Sequence, residues 1–222
     1  MAVGVLVVLA SYLISAIPVA YIAGRLKGID IRRYGSANVG ASNVYQSVAR
    51  WAVVPVGLAQ IALAMAGMIL ARLVDQPLGV QVAAGVAALV GACWSVYLRF
   101  AGGRGIAASI GFLLFLSPPT LALFAALSLL GVWIRNVPLL VGLAIAVAPL
   151  ASLSVGDPGA IALGCLCMVI IIFTKRLLGS PGVRAEGVPL REVLLNRLLF
   201  DRDVRNRDEW VRKGLDDPGR RA

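Results

Sequence analysis

Two short segments rich in glycine and polar residues interrupt an otherwise apolar chain. The first, Gly35–Asn43, reads GSANVGASN, and the second, Gly102–Gly105, reads GGRG. Glycine lets backbone N–H groups approach an anion without a Cβ atom in the way, and serine hydroxyls and asparagine amides add further donors. An arginine between glycines adds a fixed positive charge that forks onto phosphate. Together the two segments predict a phosphate-binding site.

We expect both segments to contribute to one pocket, closed by cations from the end of the last apolar segment. Ser36, Asn43 and Arg104 are the candidates for a part in the reaction itself. The candidates for binding substrate phosphate are Gly35, Asn38, Gly40, Ser42, Gly102, Gly103, Gly105, Lys175 and Arg176. Each segment taken alone has a simpler interpretation: the first as a capped helix start, the second as a tight turn between membrane spans.

The residues that the chain lacks restrict the chemistry. It has no histidine, and the acids before the C-terminal tail are Asp30, Asp75 and Asp157. There is therefore no His–Asp pair to activate a hydroxyl and no carboxylate cluster for a metal, and we expect neither a metal nor another cofactor. Catalysis must then rest on positioning and charge stabilisation, or on a base carried by the substrate.

The composition is that of a membrane protein. Of the 222 residues, 59% are hydrophobic and 14% charged, with a mean hydropathy of +0.88, whereas about a quarter of a soluble domain is charged. We predict an all-α polytopic membrane protein with about seven transmembrane helices. The fourth and sixth are short, so five or six spans are the alternatives. The seven segments are Val3–Gly24, Trp51–Leu73, Leu78–Leu98, Ile106–Leu116, Thr120–Ile134, Leu139–Leu153 and Gly159–Leu178.

The positive charges predict the orientation. With the N-terminus outside, 20 of the 21 Lys and Arg residues fall on the inner side, and Arg72 is the exception. By the positive-inside rule this places the C-terminus and both glycine-rich segments in the cytoplasm of a multi-pass inner-membrane protein. The same rule accounts for the net charge of +10 without a nucleic-acid partner.

The composition changes near residue 180. We divide the chain into an integral membrane domain, 1–179, and a basic cytoplasmic tail, 180–222. Within the tail, apolar residues recur at helical spacing with arginines between them, which predicts an amphipathic helix on the anionic inner leaflet. The alternative is a surface anchor with no part in chemistry. The apolar positions are Val188, Leu190, Val193, Leu194, Leu198 and Leu199, and the basic ones are Arg191, Arg197 and Arg202.

The two segments resemble motifs of the bacterial acyl-phosphate:glycerol-3-phosphate acyltransferases, the PlsY family. GSANVGASN at Gly35–Asn43 resembles the family's GSGNxGATN, and GGRGIAA at Gly102–Ala108 resembles GGKGVAT. The third motif is matched only at Arg176–Leu178, and the likeness covers about Ser11–Leu178. The resemblance implies a seven-span enzyme of phospholipid biosynthesis. It moves an acyl group from acyl phosphate to the first-position hydroxyl of glycerol 3-phosphate and yields lysophosphatidic acid, with membrane lipid around it.

The chain departs from the family pattern at several polar positions. Ala37 stands where the family has glycine, and Arg104 where it has lysine. Gln60 and Ala92 occupy positions that resemble a family aspartate and histidine. These losses leave an alternative open, a catalytically altered paralogue that binds a phosphate or an anionic lipid without turnover. A small transporter is the least favoured class, because the spans lack the buried charges that transporters use.

Overall fold

The computed structural model describes residues 1–179 and 189–203, and these residues form an all-helical fold, as predicted. Short 3₁₀ turns at Ile31–Arg33 and Val96–Leu98 lie between the α-helices. The α-helices of the described residues are α1 Ala2–Ser15, α2 Val19–Leu26, α3 Ala41–Ser47, α4 Val53–Leu73, α5 Leu78–Cys93, α6 Ile106–Leu116, α7 Pro118–Trp133, α8 Val137–Ser154, α9 Gly159–Leu178 and α10 Leu190–Phe200.

Five segments of the described chain are long and apolar enough to cross a membrane, and the two shorter apolar helices are α6 and α7. At 1.5 Å per residue, the 11 residues of α6 extend roughly 16 Å, about half of a bilayer's hydrocarbon core. The seven-span count therefore stays a prediction. The five segments are Ala2–Leu26, Val53–Leu73, Leu78–Leu98, Val137–Ser154 and Gly159–Leu178.

Proline residues set several helix boundaries. The first apolar segment is divided between α1 and α2, with Pro18 directly before α2, because proline has no N–H to continue a helix. Pro118 occupies the first position of α7, where the N–H would have no partner within the helix. The hydroxyl of Ser117 donates to the hydroxyl of Thr120 at 2.7 Å and closes this turn.

The central helix of the bundle is α5, which packs against α1, α4 and α9, while α6 packs mainly on α4, and α7 pairs with α8. Phe112 of α6 is fully buried in the core. Two glycines make room for its ring: a Cβ atom at Gly85 would lie 2.6 Å from Phe112 Cδ2, and one at Gly164 would lie 2.7 Å from Cζ. Small residues therefore let the helices approach closely around one aromatic side chain.

A second, smaller core lies beneath the first glycine-rich segment. Ile31 and Val44, on either side of the segment, are fully buried, and Val39 within it is nearly so. They pack with Ala20 of α2 and Val56 of α4. Burial of these aliphatic side chains fixes the segment against the bundle, so its polar residues are held by apolar contacts beneath them.

Helix α10 docks on the ends of α8 and α9. Val193 is 1% exposed against them, and Arg197 Nη1 donates to the carbonyl oxygens of Leu177 at 2.8 Å and Leu178 at 3.2 Å. Arg197 also pairs with Asp203, with Nε 2.5 Å from the carboxylate. The predicted amphipathic segment thus contains a helix anchored to the bundle, and its position on a membrane stays a prediction. Val188 and the tail beyond Asp203 lie outside the described residues.

Candidate active site

The two glycine-rich segments contact each other directly. Gly103 lies against the backbone of Val39, and its N–H donates to the carbonyl oxygen of Ala92 at 2.9 Å. Gly102 lies against the backbone carbonyl of Cys93. The second segment is thus held between the end of α5 and the first segment, because its glycines carry no Cβ atom that would meet either backbone.

Asn43 holds the first segment in shape. Its side chain is fully buried, the two N–H groups of its Nδ2 are shared among three backbone carbonyl oxygens, and its Oδ1 accepts two hydrogen bonds. The carbonyls are those of Ile31, Tyr34 and Asn38, each at 3.0 Å, and the donors to Oδ1 are the N–H of Ser36 at 3.3 Å and the hydroxyl of Ser47 at 3.1 Å. This geometry favours a structural role, and the catalytic part assigned to Asn43 and Ser36 stays a prediction.

Two residues of the first segment adopt left-handed backbone conformations. Gly35 has φ +55° and Ala37 has φ 55°. A side chain at Gly35 would collide with Asn43 Oδ1. Ala37 occupies the position where the resembling family has glycine, and its positive φ is the conformation that glycine adopts without the penalty that a Cβ atom brings.

The approach to the first segment is fixed by an ion pair. Asp30 accepts hydrogen bonds from the N–H of Arg32 at 3.0 Å and from its guanidinium at 2.6 and 3.0 Å. The side-chain hydrogen bonds from Arg32 lower the pKa of Asp30, against the opposing effect of burial. Arg32 also lies over the ring of Tyr21, 5.0 Å from its centroid. Asp30 is therefore an engaged anion that anchors the turn.

A cavity of about 440 Å³ lies where the two segments meet and is called here the first cavity. Its lining is mostly apolar and includes residues of α1, α3, α4, α5, α6, α8 and α9, with Gln60 and Ala92 among the lining residues. Eight of the predicted site residues line it, namely Asn38, Gly40, Ser42, Gly102, Gly103, Arg104, Gly105 and Arg176. The amides of the first turn of α6 have no carbonyl partner earlier in that helix, which makes a helix start a natural place for an anion.

A second cavity of about 260 Å³ adjoins the first and shares Asn38, Gly102 and Arg104 with it. Its lining adds the cations Arg32, Arg33 and Lys175, together with Asp30, the ion-pair partner of Arg32. The ammonium of Lys175 lies 5.2 Å from the centroid of the Trp94 ring. Lys175 and Arg176, neighbours in sequence, are therefore divided between the two cavities. Three predicted site residues line neither cavity: Gly35, Ser36 and Asn43.

Arg104 lies between the two cavities and is only 8% exposed. Burial lowers its pKa to about 10, and the neighbouring charges of Arg176 and Arg197 act in the same direction. The guanidinium nevertheless stays protonated at neutral pH. Nη1 donates to the backbone carbonyl of Asp201 at 3.3 Å and forms an ion pair with the Asp201 carboxylate. The buried guanidinium of Arg104 thus contributes a positive charge to the lining of both cavities.

Arg176 joins three helices at the edge of the first cavity. Its side chain is 2% exposed, Nη2 donates to the carbonyl oxygen of Pro138 at 3.0 Å, and Nη1 donates to that of Leu198 at 2.9 Å. A Cβ atom at Gly142 would lie 2.6 Å from Nη1, so a glycine of α8 makes room for the guanidinium. Arg176 therefore lines the cavity while it ties α9 to α8 and α10.

Asp201 is the site residue that the sequence did not reveal. It follows α10, lines the first cavity and contacts Arg104 across 97 residues of sequence. No motif or spacing links the tail to the loops, and the change in composition near residue 180 separates the tail from the membrane domain. Within residues 1–179 and 189–203, no group of three or more His, Cys, Asp or Glu side chains is arranged to hold a metal ion.

Comparison with known proteins places the chain in a family. The sequence profile of a family described as glycerol-3-phosphate acyltransferase matches residues 5–177. The chain is 33% identical to glycerol-3-phosphate acyltransferase 5 of Dehalococcoides mccartyi over 219 residues, which are 94% of this chain and 93% of the relative. It is 35% identical to the glycerol-3-phosphate acyltransferase of Rubrobacter xylanophilus over 155 residues, 69% of this chain and 78% of the relative.

The fold is also similar to that of a solved structure. The crystal structure of PlsY (YgiH), described as an integral membrane glycerol 3-phosphate acyltransferase in its glycerol 3-phosphate form, matches with a TM-score of 0.73 and 25% identity. The match covers 78% of this chain and 88% of PlsY. The family profile ends before α10. Because the profile matches most of the chain and the Dehalococcoides relative matches nearly all of it, this protein belongs to the glycerol-3-phosphate acyltransferase family.

Proposed function

We propose that this protein transfers an acyl group from acyl phosphate to the first-position hydroxyl of glycerol 3-phosphate and so makes lysophosphatidic acid for phospholipid biosynthesis. Its family makes it a glycerol-3-phosphate acyltransferase of the membrane. The observation that carries the proposal is the meeting of the two glycine-rich segments around the buried guanidinium of Arg104. The identity of the acyl donor, acyl phosphate, is also part of the proposal.

The two cavities fit two phosphorylated substrates of different polarity. Acyl phosphate joins a long apolar chain to a phosphate, and the first cavity combines an apolar lining with Arg104 and the start of α6. Glycerol 3-phosphate is small and polar, and the second cavity gathers Arg32, Arg33 and Lys175. Because Arg104 lines both, it would contact both phosphates and bring the reacting groups together.

The reaction needs little from the protein beyond binding and charge stabilisation. The hydroxyl oxygen of glycerol 3-phosphate attacks the acyl carbonyl carbon, and the bond from that carbon to the phosphate oxygen breaks. The hydroxyl proton passes to a phosphate oxygen of the substrates, since the chain has no histidine, Asp30 is engaged by Arg32, and Asp201 is engaged by Arg104. Arg104 and neighbouring backbone N–H groups stabilise the charge that develops on the carbonyl oxygen.

A paralogue that binds a phosphate without turnover is the alternative, and it is not favoured. Its motivation is the loss of the family's histidine and acidic positions, among them Gln60 and Ala92 in the lining of the first cavity. Against it stands the relative that matches 94% of this chain and is named as an acyltransferase. The two hypotheses differ in one measurable quantity, the formation of product.

The test uses the full chain reconstituted in liposomes. The protein receives labelled glycerol 3-phosphate and one donor at a time: acyl phosphate, acyl coenzyme A or acylated carrier protein. We expect labelled lysophosphatidic acid with acyl phosphate alone, and its formation by Arg104→Ala should be about 10²- to 10³-fold slower. Product formed only with another donor would contradict the proposed donor. No product from folded protein with any donor would favour the binding-only alternative.

We further propose seven crossings of the inner membrane, with the N-terminus outside and the C-terminus in the cytoplasm. The support for the orientation is the placement of 20 of 21 Lys and Arg residues on one side, and the support for the count is the seven apolar segments of the sequence. Lys27→Cys and Val155→Cys introduce thiols at exposed positions beyond α2 and α8. In intact cells, a maleimide that cannot cross the membrane should label only Val155→Cys. Labelling of Lys27→Cys instead would reverse the orientation.

The tail helix is proposed to lie at the inner leaflet. Leu190, Leu194 and Leu195 of α10 are exposed in the structure, and exposed leucines beside arginines are typical of interfacial helices. The variant Leu195→Trp, combined with lipids brominated along the acyl chain, tests the contact. We expect quenching of the added tryptophan fluorescence, and fluorescence equal to that in unbrominated lipid would contradict the placement.

A further inference from the structure

Asp201 brings a negative charge into the first cavity, where the other charged residues of the described lining are Arg104 and Arg176. It is the one carboxylate among the described residues that line the first cavity. Its backbone carbonyl and its carboxylate both contact Nη1 of Arg104. Arg104 is also the proposed partner of the substrate phosphate, so the carboxylate of Asp201 and that phosphate would bind the same guanidinium.

The carboxylate is presented by a docked helix. Arg176 donates to the carbonyl of Leu198, and Arg197 donates to that of Leu177, which hold α10 against α9. Asp201 ends the helix with φ 59°, and its N–H donates to the carbonyl oxygen of Arg197 at 3.1 Å. The hydrogen bonds from Arg176 and Arg197 thus set the position of the Asp201 carboxylate. Neither arginine belongs to the glycine-rich segments.

Electrostatics makes the two anions compete. A phosphate and a carboxylate on one buried guanidinium repel each other, and the repulsion is stronger in a buried site than in water. The carboxylate is held by the guanidinium of Arg104, so it is not positioned to take a proton from a substrate hydroxyl. The arrangement therefore favours competition over a role for Asp201 as general base.

We propose that Asp201 is an internal competitor for substrate phosphate at Arg104. The phosphate of an incoming substrate displaces the carboxylate, so that Asp201 sets the substrate concentration at which the enzyme works. The proposal rests on the acyl transfer proposed above. It also assigns to α10, which lies beyond the family profile, a direct influence on the site.

The first test is kinetic and uses the full chain in liposomes. Asp201→Asn removes the charge and keeps the shape, and we expect KM for at least one phosphorylated substrate to fall several-fold. Varying acyl phosphate and glycerol 3-phosphate separately identifies which phosphate competes. Asp201→Glu should keep the wild-type KM. Glu192→Gln makes the same chemical change at an exposed position on α10 and should leave KM unchanged.

A KM that is unchanged or raised for both substrates in Asp201→Asn would overturn the proposal. A raised KM would indicate instead that Asp201 positions Arg104 for binding. Asp201→Gly repeats the test with a residue that adopts a positive φ readily, so the result does not depend on the behaviour of asparagine.

The second test measures binding without turnover. Inorganic phosphate should raise the melting temperature of Asp201→Asn in detergent at lower concentrations than it does for the wild type. In the Arg104→Ala background, Asp201→Asn should have no further effect, because the shared guanidinium is gone. Equal phosphate affinities in wild type and Asp201→Asn would refute the competition. An inactive wild-type protein would count against the proposed function alone, since phosphate binding is measured independently.

Discussion

Gly103 and Val39 join the two glycine-rich segments backbone to backbone. A Cβ atom at Gly103 would lie 2.8 Å from the carbonyl oxygen of Val39, a separation that real side chains do not tolerate. The absent side chain is thus what allows a loop after α5 to lie against a loop before α3. The cavity that both line depends on this approach.

Gly103→Ala should therefore damage the site more than the fold. The added methyl group must push the second segment away from Val39, and we expect kcat/KM to fall at least about tenfold, because small displacements of binding groups are costly in catalysis. The measurement is acyl transfer in liposomes, alongside the melting temperature in detergent. Gly79→Ala is the matched control, since nothing lies within 4 Å of a Cβ atom there. Equal loss in both variants would contradict the role of this contact.

Arg104 should be the most sensitive cation of the site. Removal of a buried charge that stabilises developing negative charge costs about 10²- to 10³-fold in rate, and we expect Arg104→Ala to fall in that range. Arg104→Lys keeps the charge and restores the residue of the resembling family, so it should retain more activity than Arg104→Ala. Arg99→Ala, at an exposed arginine nearby in sequence, is the control. Activity of Arg104→Ala equal to that of Arg99→Ala would exclude Arg104 from the site.

Substitutions at the neighbouring residues Asn43 and Ser42 should have different effects, the first on the melting temperature and the second on the activity. Asn43→Asp replaces the amide donor with an acceptor that faces three backbone carbonyls, and each lost buried hydrogen bond costs about 1–3 kcal/mol. We expect a clear drop in melting temperature. Ser42→Ala removes an exposed hydroxyl from the cavity lining and should lower activity with little change in melting temperature. The reverse pattern would make Asn43 a catalytic residue, as the sequence predicted.

Ala37→Gly should be neutral or stabilising. A left-handed conformation costs a residue with a Cβ atom roughly 1–2 kcal/mol, and the greater freedom of glycine in the unfolded chain returns about 0.4–1 kcal/mol of that gain. Ala83→Gly, at an exposed position inside α5, should instead destabilise by about 1 kcal/mol. Thermal unfolding in detergent compares the two. A lower melting temperature for Ala37→Gly than for Ala83→Gly would contradict the strain at Ala37.

Local patterns predicted most of the helical framework. The seven apolar segments form helices close to the predicted positions. Hydropathy and proline affect the conformation of residues only a few positions away in the sequence, so both signals are visible without the fold. The same patterns left the span count open, since α6 and α7 are too short for length alone to decide it. The resembling family has glycine at the position of Ala37. The positive φ angle of Ala37 in the structure explains why glycine suits this position.

The sequence by itself determined that this is a multi-pass membrane protein of the acyltransferase family, and it predicted that the hydrogen-bond donors for phosphate lie in two glycine-rich segments. Composition, motif order and backbone freedom are properties of neighbouring residues, so they can be read without a fold. Only the tertiary structure decided that Asn43 holds its own loop, that Lys175 and Arg176 face different cavities, and that Asp201 reaches Arg104. These depend on contacts between distant parts of the chain, and helix packing alone determines which residues meet.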